Sequence, residues 1–308
     1  AGLGHLYRCY KFCNFINKKD KIIFLINKKF NKNFLIKENN SFNKIKYFFY
    51  NDLTKELKKI KLYYKSIYIF LDSYKKKIHK INFKLYSVKC IKILDFQFKS
   101  KADFIIDHTF KRKKNFHKKN IGSKIFVGHK FFPIHILKKN EKRDTILINF
   151  GSIKNIKLII ESLIFIDSLN LEFIKKIIII NNFVTKKNIP NLKISKKIFI
   201  LKFTNNLEKF YRKSFFTIGA CGISLYEKSF YNIPSISICV ARNQNFNFQN
   251  FLSSRLILDL NKILNYNFKT KSNINKFLKS LHNLEIRLKK KFKYQENTKV
   301  IKKFFSSL

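Results

Sequence analysis

At 308 residues, 45% of them hydrophobic, the chain has room for two soluble domains of roughly 100–150 residues each with buried cores. No apolar run approaches the ~18 residues of a membrane span and no signal-peptide pattern opens the chain, so a cytoplasmic protein without a membrane span is expected. The net charge of +48 comes from lysine spread along the whole chain. It would draw polyanions non-specifically but forms no stripe, arm or recognised motif, so no specific nucleic-acid partner is expected.

Ala1 to Arg8 reads as a glycine loop opening a helix that runs to about Asn17. The chain has no Met and begins directly in this glycine motif, so the first strand of the expected βαβ unit reads as missing. Five cysteines, Cys9, Cys13, Cys90, Cys221 and Cys239, make an odd count without paired CxxC spacing. That favours reduced structural thiols over half a metal site at Cys9 and Cys13, and no metal is expected. Lys21 to Ile26 is an apolar strand, Asn51 to Tyr64 a helix with a hydrophobic stripe, and Ser66 to Leu71 a buried strand ending at Asp72-Ser73-Tyr74. Ser87 to Leu94 is a strand ending at Asp95, and Phe104 to Asp107 is a shorter one. Strands followed by helical or polar segments predict a parallel sheet with helical crossovers. Arg112 to Asn120 reads as a loop. Gly122 to Lys142, broken by Pro133, reads as the link between domains at 1–136 and 137–308.

The alternation restarts with strand Thr145 to Phe150, a Gly151-Ser152 turn and helix Asn155 to Asp167. Strands Lys176 to Asn181 and Lys197 to Phe203 follow, then helix Asn206 to Arg212, and from about Asn273 one or two amphipathic basic helices. Between them lies Thr217 to Gln244, a strand, a glycine turn, a helix and a second strand. Every candidate ligand group in it sits at the carboxyl edge of a strand or the start of a helix, where open α/β sheets bind ligands. Gly219 and Gly222 would allow a tight turn with backbone N–H groups close to a ligand. Glu227, one helical turn deeper, is placed to accept hydroxyls from a ribose; a solvated glutamate after an ordinary turn is the alternative. Two parallel-sheet halves suggest an interdomain cleft for a nucleotide-linked substrate, faced by Gly2 and Gly4 from one side and Gly151, Gly219 and Gly222 from the other.

GLGHLYRC at Gly2 to Cys9, LDSY at Leu71 to Tyr74, the strand ending at Asp95, GHKFFPI from Gly128, INFGSIKN at Ile148 to Asn155, and GACGISLYE with NIPSISICVARNQ form an ordered set. It contains six of the seven glycines and resembles, in order, the motifs of the UDP-2,4-diacetamido-2,4,6-trideoxy-β-L-altropyranose hydrolases of pseudaminic acid biosynthesis. The resemblance spans Gly2 to Gln244. It implies an α/β fold of two Rossmann-like domains in a GT-B arrangement, similar to the N-acetylglucosaminyltransferase of peptidoglycan synthesis. The implied reaction is inverting attack of water at the anomeric carbon of a UDP-sugar, with C–O cleavage, no metal and no cofactor. By the same resemblance His5 is the base, Tyr74 orients water or sugar beside Asp72, and Asn243, assisted by Gln244, contacts the sugar or the water. Glu227 then binds the ribose, and Arg8 either braces its loop or binds a phosphate. Gly151-Ser152 and Gly222-Ile223-Ser224 are the two places for the diphosphate. The chain departs from the family's paired glycines and acidic residue at Ser152, Ile153 and Lys154, where Lys154 could compensate electrostatically. The expected partner is the UDP-sugar, and a monomer is the expectation. A GT-B glycosyltransferase passing the sugar to an acceptor, and a decayed, non-enzymatic relative binding polyanions, are the alternatives.

Overall fold

The computed structural model of the chain describes residues 3–15, 22–27, 45–63, 67–72, 80–86, 88–136, 141–151, 154–189, 197–202, 204 and 206–308, with backbone alone at 3–7, 22–23, 25–27 and 45–48. The chain divides into two compact units, the first made of Ala1–His135 with Glu296–Leu308 and the second of Ile136–Gln295.

In the first unit, α1 (Leu3–Cys13), β1 (Ile22–Asn27) and β2 (Ile45–Tyr50) come first, and β1 and β2 pair in parallel. α2 (Leu53–Tyr63) starts where Asp52 accepts from the Thr54 backbone N–H at 2.9 Å. Its buried Leu53, Leu57 and Ile60 recur at helical spacing and pack on Phe83, Val88 and Cys90. β3 (Tyr68–Asp72), β4 (Lys89–Ile93), β5 (Phe104–Asp107) and β6 (Lys124–Val127) form a parallel sheet in that order. Buried runs such as FIID fit strands covered on both faces.

Several expectations for this half are corrected. α1 begins at Leu3, so Gly4 and His5 lie in its first turn rather than in a loop, and it ends at Cys13 rather than Asn17. The segment expected as a linker carries β6, whose four residues are too short to show a period but pair with β5 from Phe104 opposite Lys124 to Asp107 opposite Val127. Residues 112–120 contain a 3-10 turn at Lys114–His117, with His117 and Asn120 buried.

The second unit contains β7 (Thr145–Asn149), α3 (Ile156–Ser168), β8 (Lys176–Ile180), β9 (Lys197–Leu201), α4 (Glu208–Lys213), β10 (Ser214–Ala220), α5 (Ile223–Phe230) and β11 (Ser235–Ile238). α6 (Asn245–Ser253), β12 (Leu258–Asp259), α7 (Leu260–Leu264) and α8 (Lys271–Lys291) complete it. All six strands are parallel, in the order β12-β11-β10-β7-β8-β9. Alternation along β7 sends Ile146 and Ile148 to one face, against Ile159 and Leu163 of α3 and Leu281 of α8. Leu147 goes to the other face with Ile178, Ile180, Tyr211 and Ile233.

α9 (Tyr294–Ser306) carries residues that the sequence reading grouped with the second half, yet from Glu296 onward they belong to the first unit. Ile301 and Phe304 join Phe12, Ile91, Ile93 and Phe104, and Asn297 donates its side-chain amide to the Lys130 and Phe132 carbonyls at 2.9 and 2.8 Å.

Candidate functional site

In the second unit the chain leaves β7 toward β8 and β9 on one side, and from β10 it builds β11 and β12 on the other. Counted within the unit this is the 3-2-1-4-5-6 order of dinucleotide-binding sheets, and the order reverses between β7 and β10. Ligands of open α/β sheets bind outside the carboxyl ends of the strands at such a point. Here those ends are Asn149 and Ala220.

Gly219 opposes Asn149, and a Cβ built on it would lie 2.0 Å from the Asn149 carbonyl oxygen. Its role is therefore close strand approach at the switch point, not the ligand-facing turn expected of it. Beyond β7 the Asn149 side chain accepts from the Gly151 N–H at 2.8 Å, and Gly151 takes φ +74°, a left-handed conformation that glycine adopts without strain. Asn155 then caps α3 by accepting from Leu158 N–H at 3.1 Å. α5 starts differently, at an extended Gly222 with no side-chain cap. Its first N–H groups, at Ile223 and Ser224, stand at the positive end of the helix dipole.

Beyond β11 a 3-10 turn, Arg242–Gln244, leads into α6. Gln244 accepts from Val240 N–H at 3.3 Å through Oε1, and its Nε2 is 3.6 Å from the place a Gly222 Cβ would take. Gly222 and Gln244 are thus brought together, and Asn243 is exposed on the same turn. Glu227 is 8% exposed, and its Oε2 accepts from the Tyr211 phenol at 2.9 Å. Burial, then the Glu227 charge, push the Tyr211 phenol well above its ordinary range, so it is a neutral donor. The neighbouring Lys228 is buried, which brings its ammonium down to about 8. Burial pushes the Cys221 thiol up to about 12, against the pull of the Lys228 charge, so it stays protonated and unreactive. Lys154 is exposed before α3.

In the first unit Asp72, Asp95 and Asp107 lie at or just beyond the carboxyl ends of β3, β4 and β5. Arg8, 1% exposed on α1, donates through Nε and Nη2 to Asp72 at 2.6 and 2.5 Å and through Nη1 to Asp95 at 3.3 Å. Its Nη1 also lies 3.3 Å from His108 Nε2. Arg8, expected either to brace its loop or to bind a phosphate, and Asp72, expected on the substrate side beside Tyr74, are directed at each other in a bidentate pair that fastens α1 to the sheet. Burial, then the Arg8 charge, bring the His108 imidazole down to about 4. Burial works to raise the Asp107 carboxyl, but hydrogen bonds from His117 at 2.9 Å and Thr109, with the Arg112 charge, hold it below its ordinary value. Cys9 and Cys13 are successive turns of α1; burial raises both thiols, that of Cys13 to about 12. Among the described residues no group of three or more His, Cys, Asp or Glu is placed to hold a metal ion, and no helix is long and apolar enough to cross a membrane.

Gly2, Tyr74 and Ser152 lie outside the described residues; Gly4 and His5 are in α1, with the His5 side chain outside what is described. Sequence reading passed over Tyr211, His108, His117 and the carboxylate of Asp107. The available signal was an acid at a strand end followed directly by histidine in FIIDH.

No family model and no curated protein matches the sequence. Solved structures do. Phytolacca americana UGT2 complexed with UDP-2-fluoro-glucose and pterostilbene aligns with a TM-score of 0.67 at 10% identity, covering 100% of this chain and 97% of that one. Acinetobacter baumannii MurG aligns with a TM-score of 0.63 at 13% identity, covering 99% and 96%. The chain has the two Rossmann-like domains of the GT-B fold. A UDP-glucose:anthocyanidin 3-O-glucosyltransferase in complex with UDP is a third such structure, with a TM-score of 0.64 at 10% identity over 99% of this chain and 96% of the other.

Proposed function

We propose that this chain is an enzyme acting on a UDP-linked sugar, with the second unit holding the UDP. The observation that carries the reading is the switch point between β7 and β10, where an uncapped α5 N-terminus is followed one turn later by the buried carboxylate of Glu227. Backbone N–H groups at a helix start suit a diphosphate, and a carboxylate suits ribose hydroxyls. UDP or a UDP-sugar in complexes of two structures with this fold supports the same reading. Stabilising the departing diphosphate there lowers the barrier to breaking the anomeric C–O bond, while a base takes the proton of the attacking hydroxyl.

Transfer to an acceptor hydroxyl is the leading form, because glycosyltransferases are among the structures sharing the fold. Attack by water, inverting the anomeric carbon and freeing a 2,4-diacetamido-2,4,6-trideoxy sugar, is the second form, favoured by the ordered motifs from Gly2 to Gln244. Both assign His5 as base, Tyr74 to orient the attacking group, and Asn243 with Gln244 to the sugar. Both assign Gly151-Ser152 and Gly222-Ile223-Ser224 to the diphosphate, with Lys154 adding charge.

The test is UDP release from the UDP-linked diacetamido sugar and from UDP-N-acetylglucosamine, with and without acceptor alcohols, in heavy-oxygen water. Release only with acceptor marks transfer; release in water alone, with label in the sugar, marks hydrolysis. His5→Ala should slow either at least ~100-fold while UDP still binds. No release under any condition sinks the enzymatic reading.

A further inference from the structure

A glutamate side chain has three rotatable bonds, so its usefulness to a ligand depends on what fixes it. For Glu227 that neighbour comes from outside its own helix. Tyr211 of α4 is 2% exposed, with its ring packed among Leu147, Ile178, Ile180 and Ile233 and tilted against Tyr231 at 5.7 Å. Ring packing leaves the phenol little freedom, and its oxygen reaches Glu227 Oε2 at 2.9 Å. Being neutral, it donates one hydrogen bond to the carboxylate and brings no competing charge.

We propose that Tyr211 is the positioning residue for Glu227: by holding Oε2 it fixes the plane of the carboxylate that receives the ribose hydroxyls. The inference rests on the UDP reading above. A tie that merely joins α4 to α5 would show the same hydrogen bond, so the test must separate the two roles.

Binding of UDP and of 2′-deoxyuridine diphosphate is measured by calorimetry for the wild type, Tyr211→Phe, Glu227→Gln and the double variant. The wild type is expected to prefer UDP by about tenfold, the value of one hydrogen bond to a charged group. Tyr211→Phe keeps the ring, so its thermal melt should stay close to wild type while most of that preference disappears. In the Glu227→Gln background the same substitution should change nothing further. An intact preference in Tyr211→Phe, or equal weakening of both ligands in both backgrounds, overturns the proposal and leaves the UDP reading standing. A wild type that does not bind UDP removes the UDP reading and the positioning role together, whereas a Glu227→Gln variant with full preference removes the ribose role of Glu227 and the positioning role while UDP binding stands. A readout without substitution is ¹³C-tyrosine NMR: the Tyr211 Cζ resonance should shift with UDP and move less with the deoxy analogue. No shift while UDP binds overturns the proposal.

Discussion

Arg8→Leu removes the guanidinium that ties α1 to Asp72 at the end of β3 and to Asp95 beyond β4. The Arg8 and Asp72 side chains are each 1% exposed, and the two bonds at 2.6 and 2.5 Å have the bidentate geometry of a strong pair. Removing one member of such a pair takes the bidentate guanidinium away from a buried carboxylate, at a cost of about 3–5 kcal/mol. That is a large share of the ~5–15 kcal/mol that holds a domain folded. The double variant Arg8→Leu/Asp72→Leu should recover most of the loss, because replacing a buried pair with apolar groups is close to neutral. Urea melts followed by circular dichroism give the energies, and faster amide exchange along β3, β4 and β5 should place the damage in the first unit. A loss below about 1 kcal/mol for the single variant, or strict additivity in the double, would show that the pair is not the anchor described.

His108 is a base whose folded value, about 4, lies below its unfolded value of roughly 6.5. The unfolded chain therefore takes the proton first, and stability should fall as pH drops from about 6.5 to about 4, by up to ~3 kcal/mol. His108→Gln should flatten melting temperatures over that window, whereas Arg8 and the carboxylates of Asp72, Asp95 and Asp107 around it remain. Lys228 carries the same sign higher up: its burial penalty is full below about 8 and relieved toward ~10.5, so Lys228→Met should add about 1–3 kcal/mol at pH 7 and much less at pH 10, read from urea midpoints. Gly219→Ala puts a methyl 2.0 Å from the Asn149 oxygen and should cost about 3 kcal/mol or more. Gly151→Ala meets nothing within 4 Å and carries only the positive-φ strain of about 1–2 kcal/mol, so the two melts should rank in that order.

The parallel strands were legible because runs such as IIII at Ile177 to Ile180 or FIID at Phe104 to Asp107 are apolar on both faces and bounded by polar residues. β6 was hidden because KIFV is short and lies among glycine, histidine and proline that read as a loop. The return of α9 to the first unit was not readable either: its stripe of Ile301 and Phe304 announces a buried face without naming the partner, which is Phe12, Ile91 and Phe104. At the site, scarcity of glycine drew attention to the β10–α5 turn, but composition could not separate the glycine that opens α5, Gly222, from a steric one, Gly219. Arg8 and Asp72 were visible as charged residues at a helix and a strand end. That they meet each other across 64 residues is tertiary information.

The most telling measurement is a titration of UDP into the wild-type chain with amide exchange read residue by residue. Expected is saturable binding that slows exchange at Gly151, Ile223 and Ser224 around the β7–β10 switch point, and that Glu227→Gln weakens. Binding that protects none of these amides, or no binding at millimolar UDP, would contradict it.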